Sequence, residues 1–214
     1  MKLTLSSFLT LFFLYLPFSN QAQDIDTLVD VGNHKLHFTI WEGEGIPILF
    51  ESGGGNDGTI WNRLIEPLHS ITGTTLITYD RTGYGKSELN STLPDNKKSL
   101  ISNGIKDLVI ALRKLGYDKE IILVSHSYGG SYSQYFAAKH PDRVKGIVLI
   151  DAVLSCFKTE DYMERTNEER TPEWMANIKK LSTGLYYECL SNDETVAIMK
   201  KIEMPNTVPV INLV

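Results

Sequence analysis

Short and almost wholly apolar runs recur along the middle of the chain, and segments with a helical repeat of apolar residues separate them. The apolar runs are residues 47–51, 74–79, 121–124 and 144–150. The segments predicted to be helices are residues 59–69, 99–115 and 128–140. In the first of them, the helical spacing puts four apolar residues on one face: Trp61, Leu64, Ile65 and Leu68. Strands without polar alternation are typical of a parallel sheet that helices cover on both faces. The pattern therefore predicts an α/β fold built on a mostly parallel sheet.

A hairpin precedes these runs. Residues 27–31 and 35–41 favour strands, and Gly32 followed by Asn33 is a turn signal between them. The two segments are therefore predicted to pair as an N-terminal β-hairpin.

The first 22 residues have the pattern of an export signal. Lys2 provides a positive start, residues 8–18 form an apolar core, and residues 20–22 (Asn-Gln-Ala) resemble a cleavage site. A buried N-terminal helix is the alternative. The core is shorter than the roughly 20 residues that span a bilayer, and no cysteine follows it for lipid attachment. We therefore expect an exported protein, periplasmic or secreted, with no stable membrane anchor after the signal is removed.

The chain changes character after the last of the central apolar runs. Residues 152–205 are rich in charge and contain both cysteines. Thr171 before a proline, and Ser191 three residues before a glutamate, each predict the start of a helix. Such an insertion between two sheet strands is predicted to form a helical lid over the strand ends. Residues 207–213 are predicted to be the following strand.

The most informative stretch is residues 121–130, where a predicted strand turns sharply into a predicted helix. The corner has the sequence Ser-His-Ser-Tyr-Gly, with Ser127 at its centre. This order matches the small-x-Ser-x-small form of the nucleophile elbow. In an elbow, the serine hydroxyl is raised out of the sheet beside the free N–H groups of a helix start. A chance match on an ordinary strand–turn–helix is the alternative for this motif taken alone.

Two further motifs follow predicted strands. Residues 51–55 are Glu-Ser-Gly-Gly-Gly, and residues 79–87 are Tyr-Asp-Arg-Thr-Gly-Tyr-Gly-Lys-Ser. With the elbow, and in this order, they resemble the α/β-hydrolase superfamily in its lidded esterase, lipase and prolyl-aminopeptidase-like branch. The resemblance covers residues 27–151. It implies a core at residues 23–151, a lid at 152–205 and the incomplete start of a C-terminal strand at 206–214.

The resemblance implies a role for each motif. Ser127 would attack a carbonyl carbon and form an acyl-enzyme, while the backbone N–H groups of Tyr128 and Gly54 stabilise the oxyanion. Asp80 and Arg81 are expected to brace the glycine loop rather than to touch substrate. Dehalogenases and epoxide hydrolases of this fold have an aspartate at the elbow, so the serine favours an ester or small amide as substrate.

A serine nucleophile also needs a histidine base and a carboxylate that orients it. The family places the histidine after the last strand, whereas the five histidines of this chain all precede residue 152. They are His34, His37, His69, His126 and His140. His126 is expected to line the site or to pack, and Asp151 is the candidate acid. We therefore expect a chain that lacks its last helix, last strand and catalytic histidine, and that is a poor catalyst. A non-catalytic binding protein that keeps the pocket is the alternative.

The charge balance is ordinary for a soluble protein. The chain has 21 Lys and Arg residues against 26 Asp and Glu residues, a net charge of −5. Removal of residues 1–22 takes away one lysine, which leaves 20 basic residues against 26 acidic ones and a net charge of −6. This balance argues against a nucleic-acid or anionic-membrane surface. The expected partner is a small-molecule ester or amide, with no cofactor and no metal. Cys156 and Cys189 are candidates for a disulfide after export, and two buried thiols are the equal alternative.

Overall fold

The structure, a computed structural model, describes residues 25–153 and 160–213. The strands within these residues are β1 (Ile25–Asp30), β2 (Lys35–Trp41), β3 (Glu44–Glu51), β4 (Thr74–Tyr79), β5 (Ile121–His126), β6 (Val144–Ile150) and β7 (Val210–Leu213). They form one sheet in the order β1-β2-β4-β3-β5-β6-β7. β2 pairs antiparallel with β1 and with β4, and all other neighbours are parallel. The prediction of an N-terminal hairpin on a mostly parallel sheet is confirmed.

Helices connect the strands and cover both faces of the sheet. They are α1 (Asn62–Thr72), α2 (Ile101–Lys114), α3 (Gly129–Lys139), α4 (Glu160–Glu169), α5 (Pro172–Leu181) and α6 (Thr183–Met199). Short 3₁₀ turns occupy Gly58–Trp61, Asp95–Lys97 and Pro141–Arg143. The larger hydrophobic core lies between the sheet and α2 with α3, and a smaller one lies between the sheet and α1.

The two cores explain why the central strands are apolar at nearly every position. Successive side chains of a strand point to opposite faces. Leu49 accordingly joins the core under α2 and α3, and its neighbour Phe50 joins the core under α1. Leu123 and Val124 divide between the two cores in the same way. A polar residue at either position would lie buried without water, which is why the alternation seen in half-exposed strands is missing.

The register of the parallel strands brings the predicted motifs to one edge of the sheet. Glu51 at the end of β3 lies opposite Ser125 of β5, and His126 at the end of β5 lies opposite Ile150 of β6. The segments that follow these strands therefore meet at the carboxyl edge. They are the glycine loop, the elbow and the turn that contains Asp151.

The helix predicted at residues 59–69 is present with shifted bounds. A 3₁₀ turn up to Trp61 precedes α1, and α1 ends at Gly73, whose φ of 61° is in the left-handed region. Ile65 is buried as expected, but Leu64 is 40% exposed, so its predicted place on the packed face is wrong. The packed face is narrower than predicted: Trp61 and Ile65, four residues apart, are buried in one core, and Leu68 packs against them.

Three helices, α4 to α6, lie between β6 and β7, in the segment predicted as a lid. The predicted cap at Thr171 is confirmed, because its hydroxyl accepts a hydrogen bond from the N–H of Trp174 at 3.1 Å. The predicted helix start at Ser191 is wrong. Ser191 lies inside α6, which begins after Ser182. Packing of buried residues before and after Ser191 keeps this helix continuous, and such tertiary contacts override a local capping signal.

The export signal at residues 1–22 and the partner cysteine Cys156 lie outside the described residues. The signal and the disulfide therefore stay predictions, and Cys189 is half-buried in α6. Within residues 25–153 and 160–213, no helix is both long and apolar enough to cross a membrane.

Candidate active site

Ser127 stands at a strained corner between β5 and α3. Its φ is 50°, in the left-handed region that residues with a Cβ rarely adopt. Two backbone hydrogen bonds hold the corner in place: the N–H of Ser127 donates to Ile150 O at 3.2 Å, and the N–H of Val153 donates to Ser127 O at 2.9 Å. The turn after β6 thus supports the elbow from the side. Strain that is maintained by its surroundings in this way is typical of functional positions.

The small residues of the elbow are required by close packing. A Cβ on Gly129 would lie 2.5 Å from Glu51 O and 2.7 Å from Ser52 O, so only glycine fits where α3 crosses the end of β3. Ser125, which replaces the glycine usual at the start of the motif, is fully buried. Its hydroxyl pairs with that of Ser133 in α3. Serine is therefore tolerated at this position because α3 supplies a hydrogen-bond partner.

The glycine loop lies against the elbow. A Cβ on Gly53 would stand 3.3 Å from the Cβ of Ser127 and 2.9 Å from Nδ1 of His126. A Cβ on Gly54 would stand 3.6 Å from the Cβ of Tyr128. The two residues expected to donate to an oxyanion, Gly54 and Tyr128, are therefore neighbours, and the absence of side chains on the loop allows a substrate oxygen to approach. His126 packs on this loop, as the sequence predicts.

Arg81 braces the loop from below. Its Nη1 donates to Ser52 O at 2.6 Å and its Nη2 donates to Gly53 O at 2.8 Å. Its Nε donates to Oε1 of Glu188 at 2.9 Å. The guanidinium also lies 5.0–5.7 Å from the ring centres of three tyrosines, which are Tyr84, Tyr128 and Tyr132. The expected bracing role of Arg81 is thus present, but its partner Glu188 has no recognisable signal in the sequence.

Glu51 completes this buried charge cluster. Its Oε1 accepts a hydrogen bond from Tyr79 Oη at 2.7 Å, and its Oε2 lies 3.8 Å from Nη1 of Arg81. Burial raises the pKa of Glu51 to about 7, against the smaller opposing effects of Arg81 and the Tyr79 hydrogen bond. Two carboxylates around one guanidinium leave one negative charge in excess, and this carboxylate is the one that gains a proton near neutral pH.

Asp80 has a structural role that is consistent with the sequence prediction. Its Oδ1 accepts from the N–H of Gly58 at 2.8 Å and its Oδ2 accepts from the N–H of Lys86 at 2.9 Å. The same Oδ2 lies 2.9 Å from Nδ1 of His37. Asp80 therefore ties the start of a 3₁₀ turn, the loop after β4 and the hairpin together.

The described residues place no histidine other than His126 beside the elbow. The other four contact different elements. They are His34 facing Asp107, His37 between Asp26 and Asp80, His69 at Glu42 O, and His140 on the Phe136 ring. Asp151 follows β6 with a φ of 43°, and its exposed side chain makes no hydrogen bond within the described part of the chain. Its backbone N–H donates to Leu213 O at 2.9 Å, so it lies beside β7.

A cavity of about 1080 Å³ lies away from the elbow, between α1 and the β1–β2 hairpin. It is lined by His37, Trp41 and Glu66 among others, and Ser127 is not part of it. Its walls belong to the opposite side of the sheet from α3. The strained Ser127 and the glycine loop meet instead at the carboxyl edge of the sheet.

Comparisons with known proteins agree with this geometry. A model of the α/β hydrolase fold family matches residues 46–181. An uncharacterized protein of Bacillus subtilis, YqjL, is 31% identical over 132 residues, which are 61% of this chain and 49% of that protein. A proline iminopeptidase of Thermoplasma volcanium is 27% identical over 108 residues, which are 50% of this chain and 35% of that protein. The chain thus spans half or less of the length of these curated relatives.

Solved structures show the same fold. An epoxide hydrolase of Vigna radiata superposes with a TM-score of 0.61 at 26% identity, and the match covers 74% of this chain and 52% of that chain.

Proposed function

Because the chain belongs to the α/β hydrolase fold family, we propose that it is a serine hydrolase that cleaves a small-molecule ester or amide through an acyl-enzyme on Ser127. The conformation of Ser127 carries this proposal. A backbone φ of 50° is unfavourable for a residue with a β-carbon and costs about 1–3 kcal/mol. Ser127 adopts this conformation at a corner directly beside the glycine loop. A strained serine next to unhindered backbone donors is an arrangement suited to nucleophilic attack.

The chemistry follows from the groups at the corner. The Oγ of Ser127 attacks the carbonyl carbon of the substrate and releases its hydroxyl proton to water, and the electron pair of the carbonyl π bond moves to the oxygen. The N–H groups of Tyr128 and Gly54 stabilise this oxyanion, with the positive end of the α3 dipole nearby. Collapse of the tetrahedral intermediate breaks the bond to the leaving group, which takes up a proton from water and departs as an alcohol or amine. A water molecule then attacks the acyl-enzyme, the acid is released, and the Oγ of Ser127 regains a proton.

The choice of substrate class rests on the side chain at the elbow. Relatives of this chain are named as a soluble epoxide hydrolase, a haloalkane dehalogenase and a proline iminopeptidase. The dehalogenases and epoxide hydrolases of the fold use an aspartate at the elbow, as noted above, whereas this chain has Ser127. A serine forms an acyl ester rather than an alkyl ester. This favours an ester or a small amide as the substrate.

Turnover by this chain is expected to be slow. Apart from His126, the sequence neighbour of Ser127, no histidine lies beside Ser127 in the described part of the chain. The exposed carboxylate of Asp151 orients no imidazole there. Loss of one member of a complete triad lowers kcat by about four to six orders of magnitude. We therefore expect measurable acylation by an activated reagent and weak turnover of an ordinary ester.

A fluorophosphonate probe tests the assignment. We expect the probe to label the protein once, at Ser127, and Ser127→Ala to abolish labelling. The matched control is Ser131→Ala, which removes a hydroxyl from the next turn of α3 and should leave labelling unchanged. Labelling that persists in Ser127→Ala, or that maps to Ser125, contradicts the assignment.

A non-catalytic binding protein is the second candidate, because no histidine is placed as a base against Ser127 within residues 25–153 and 160–213. This candidate predicts that the probe does not react, while a non-hydrolysable ester analogue still binds and raises the melting temperature. Labelling of Ser127 with release of the leaving group excludes it.

Export is proposed on the pattern of residues 1–22 alone. Expression of the whole chain in a bacterium with an export pathway, followed by N-terminal sequencing of the product, checks it. Removal of about 22 residues supports export, and a product that begins at Met1 in the cytoplasmic fraction contradicts it.

A further inference from the structure

One carboxylate from the helical insertion reaches the glycine loop. Glu188 of α6 is only 5% exposed and is separated from Arg81 by 107 residues of sequence. Its Oε1 accepts from Nε of Arg81 at 2.9 Å, and its Oε2 accepts from Oη of Tyr84 at 2.7 Å. The same Oε2 would lie 3.6 Å from a Cβ on Gly54. A charged group from the insertion thus lies directly behind an expected oxyanion donor.

This position has an electrostatic consequence. A buried carboxylate close to an oxyanion would oppose the negative charge that develops on the substrate, because Coulomb interactions are strong in a poorly solvated site. Arg81 offsets that effect by pairing with Glu188. The pKa of the Arg81 guanidinium is raised despite its burial, with the charge of Glu188 as the largest favourable cause.

The pair also orients the loop through the planar peptide bond. Nη2 of Arg81 holds the carbonyl oxygen of Gly53, and this carbonyl shares one rigid trans peptide plane with the N–H of Gly54. Holding the oxygen on the Arg81 side aims the Gly54 N–H away from Arg81. Tyr84 holds the next peptide, because its Oη accepts from the N–H of Gly55 at 3.1 Å while it donates to Glu188.

We propose that Glu188 is a positioning residue that acts through Arg81 and Tyr84 to fix the peptide planes of the glycine loop. Docking of α6 and the geometry of the oxyanion donors are then one coupled arrangement. The consequence for catalysis rests on the proposed function, whereas the consequence for the loop does not. Without Glu188, the Arg81 side chain can turn toward Glu51 and away from the loop carbonyls. Oε2 of Glu51 accepts no hydrogen bond in the described structure and lies 3.8 Å from Nη1 of Arg81.

Hydrogen exchange tests the effect on the loop without any substrate. Glu188→Gln keeps the shape and a hydrogen-bonding end group but removes the charge. We expect it to lower the protection of the Gly55 and Asn56 amides at least tenfold, while the amides of Leu123 in the sheet keep their protection. The matched control is Glu194→Gln, which neutralises a half-exposed glutamate of the same helix that pairs with a lysine. Equal loop protection in the two variants overturns the proposal.

A double-mutant cycle tests the route through Arg81. Arg81→Lys keeps the positive charge but cannot bind two carbonyl oxygens and Glu188 together. We expect Glu188→Gln to change the protection of the Asn56 amide, which donates to the Gly53 carbonyl held by Arg81, less than twofold in the Arg81→Lys background. The Gly55 amide should keep part of its response, because it also reaches Glu188 through Tyr84. If each single variant lowers the protection of the Asn56 amide tenfold and the double variant lowers it by the product of the two, the route through Arg81 is overturned.

The probe reaction links the loop to the chemistry. We expect Glu188→Gln to slow labelling of Ser127 at least tenfold with little change in the concentration of probe that gives half-maximal rate, because the loop stabilises charge rather than binds the reagent. A wild-type protein that does not label contradicts the proposed function and leaves the exchange result standing. If Glu188→Gln exposes sheet amides as well, Tyr84→Phe decides: unchanged protection of Gly55 in that variant overturns the proposal.

Discussion

The protonation of Glu51 gives the folded protein a specific dependence on pH. Burial raises the pKa of Glu51 from 4.5 to about 7 in the folded state. The folded state therefore binds this proton more tightly than the unfolded state does. Its stabilising contribution is fully present below pH 4.5 and is lost as the pH rises through 7. We expect Glu51→Gln, which resembles the protonated carboxyl, to remove this loss.

The magnitude follows from the two pKa values. A tenfold change in proton affinity is worth about 1.4 kcal/mol, so a rise from 4.5 to about 7 makes a total contribution of about 3 kcal/mol. Most of it, about 2–3 kcal/mol, is lost between pH 5 and pH 8. With a urea dependence of about 2 kcal/mol per molar, the midpoint of the wild-type protein should fall by about 1 M relative to Glu51→Gln over this range.

Urea unfolding of both proteins at pH 5, 6, 7 and 8 measures the effect, and the difference between them cancels the titration of other groups. Glu44→Gln is the control, because Glu44 is an exposed residue at the start of the same strand. It should leave the pH profile unchanged. A difference between the wild-type protein and Glu51→Gln that stays constant within about 0.5 kcal/mol from pH 5 to pH 8 would refute the reasoning.

Three further predictions concern packing and capping. Gly129→Ala should destabilise the protein by about 1–3 kcal/mol in urea unfolding, because its Cβ would lie 2.5 Å from a backbone oxygen. The control Gly146→Ala, whose Cβ would have its nearest contact at 3.6 Å, should stay within about 1 kcal/mol of the wild-type protein. Phe136→Ala should lower the free energy of unfolding by about 3–5 kcal/mol, because Phe136 is buried in the core. Leu181→Ala, at an 81% exposed position, should lower it by less than about 0.5 kcal/mol. Equal urea midpoints for the two variants would contradict the described core. Thr171→Ala should lower the free energy of unfolding by about 1 kcal/mol, because the N–H of Trp174 loses its cap while the cap of the next helix at Ser182 stays intact. Calorimetry measures this loss, and an unchanged melting temperature would contradict the prediction.

Much of the fold could be predicted from the sequence because its elements are decided locally. An apolar run such as residues 74–79 predicts a strand that is buried on both faces of the sheet, and the helix cap at Thr171 involves only a few neighbouring residues. The elbow motif is also contiguous, so five adjacent residues predict that Ser127 lies between β5 and α3, whereas its strained φ is held by hydrogen bonds to Ile150 and Val153.

Other features were decided by tertiary packing. The 3₁₀ turn before α1 is held by a hydrogen bond from Gly58 to Asp80 of another loop, and Ser191 stays inside α6 because buried contacts outweigh its capping signal. The pairing of Arg81 with Glu188 joins segments 107 residues apart, which no local pattern specifies. A buried charge must find an opposite charge once water is excluded, and which partner it finds depends on how the chain brings α6 over the glycine loop. The sequence by itself therefore determined where Ser127, the proposed nucleophile, lies along the chain, and only the tertiary structure decided which groups hold the loop beside it.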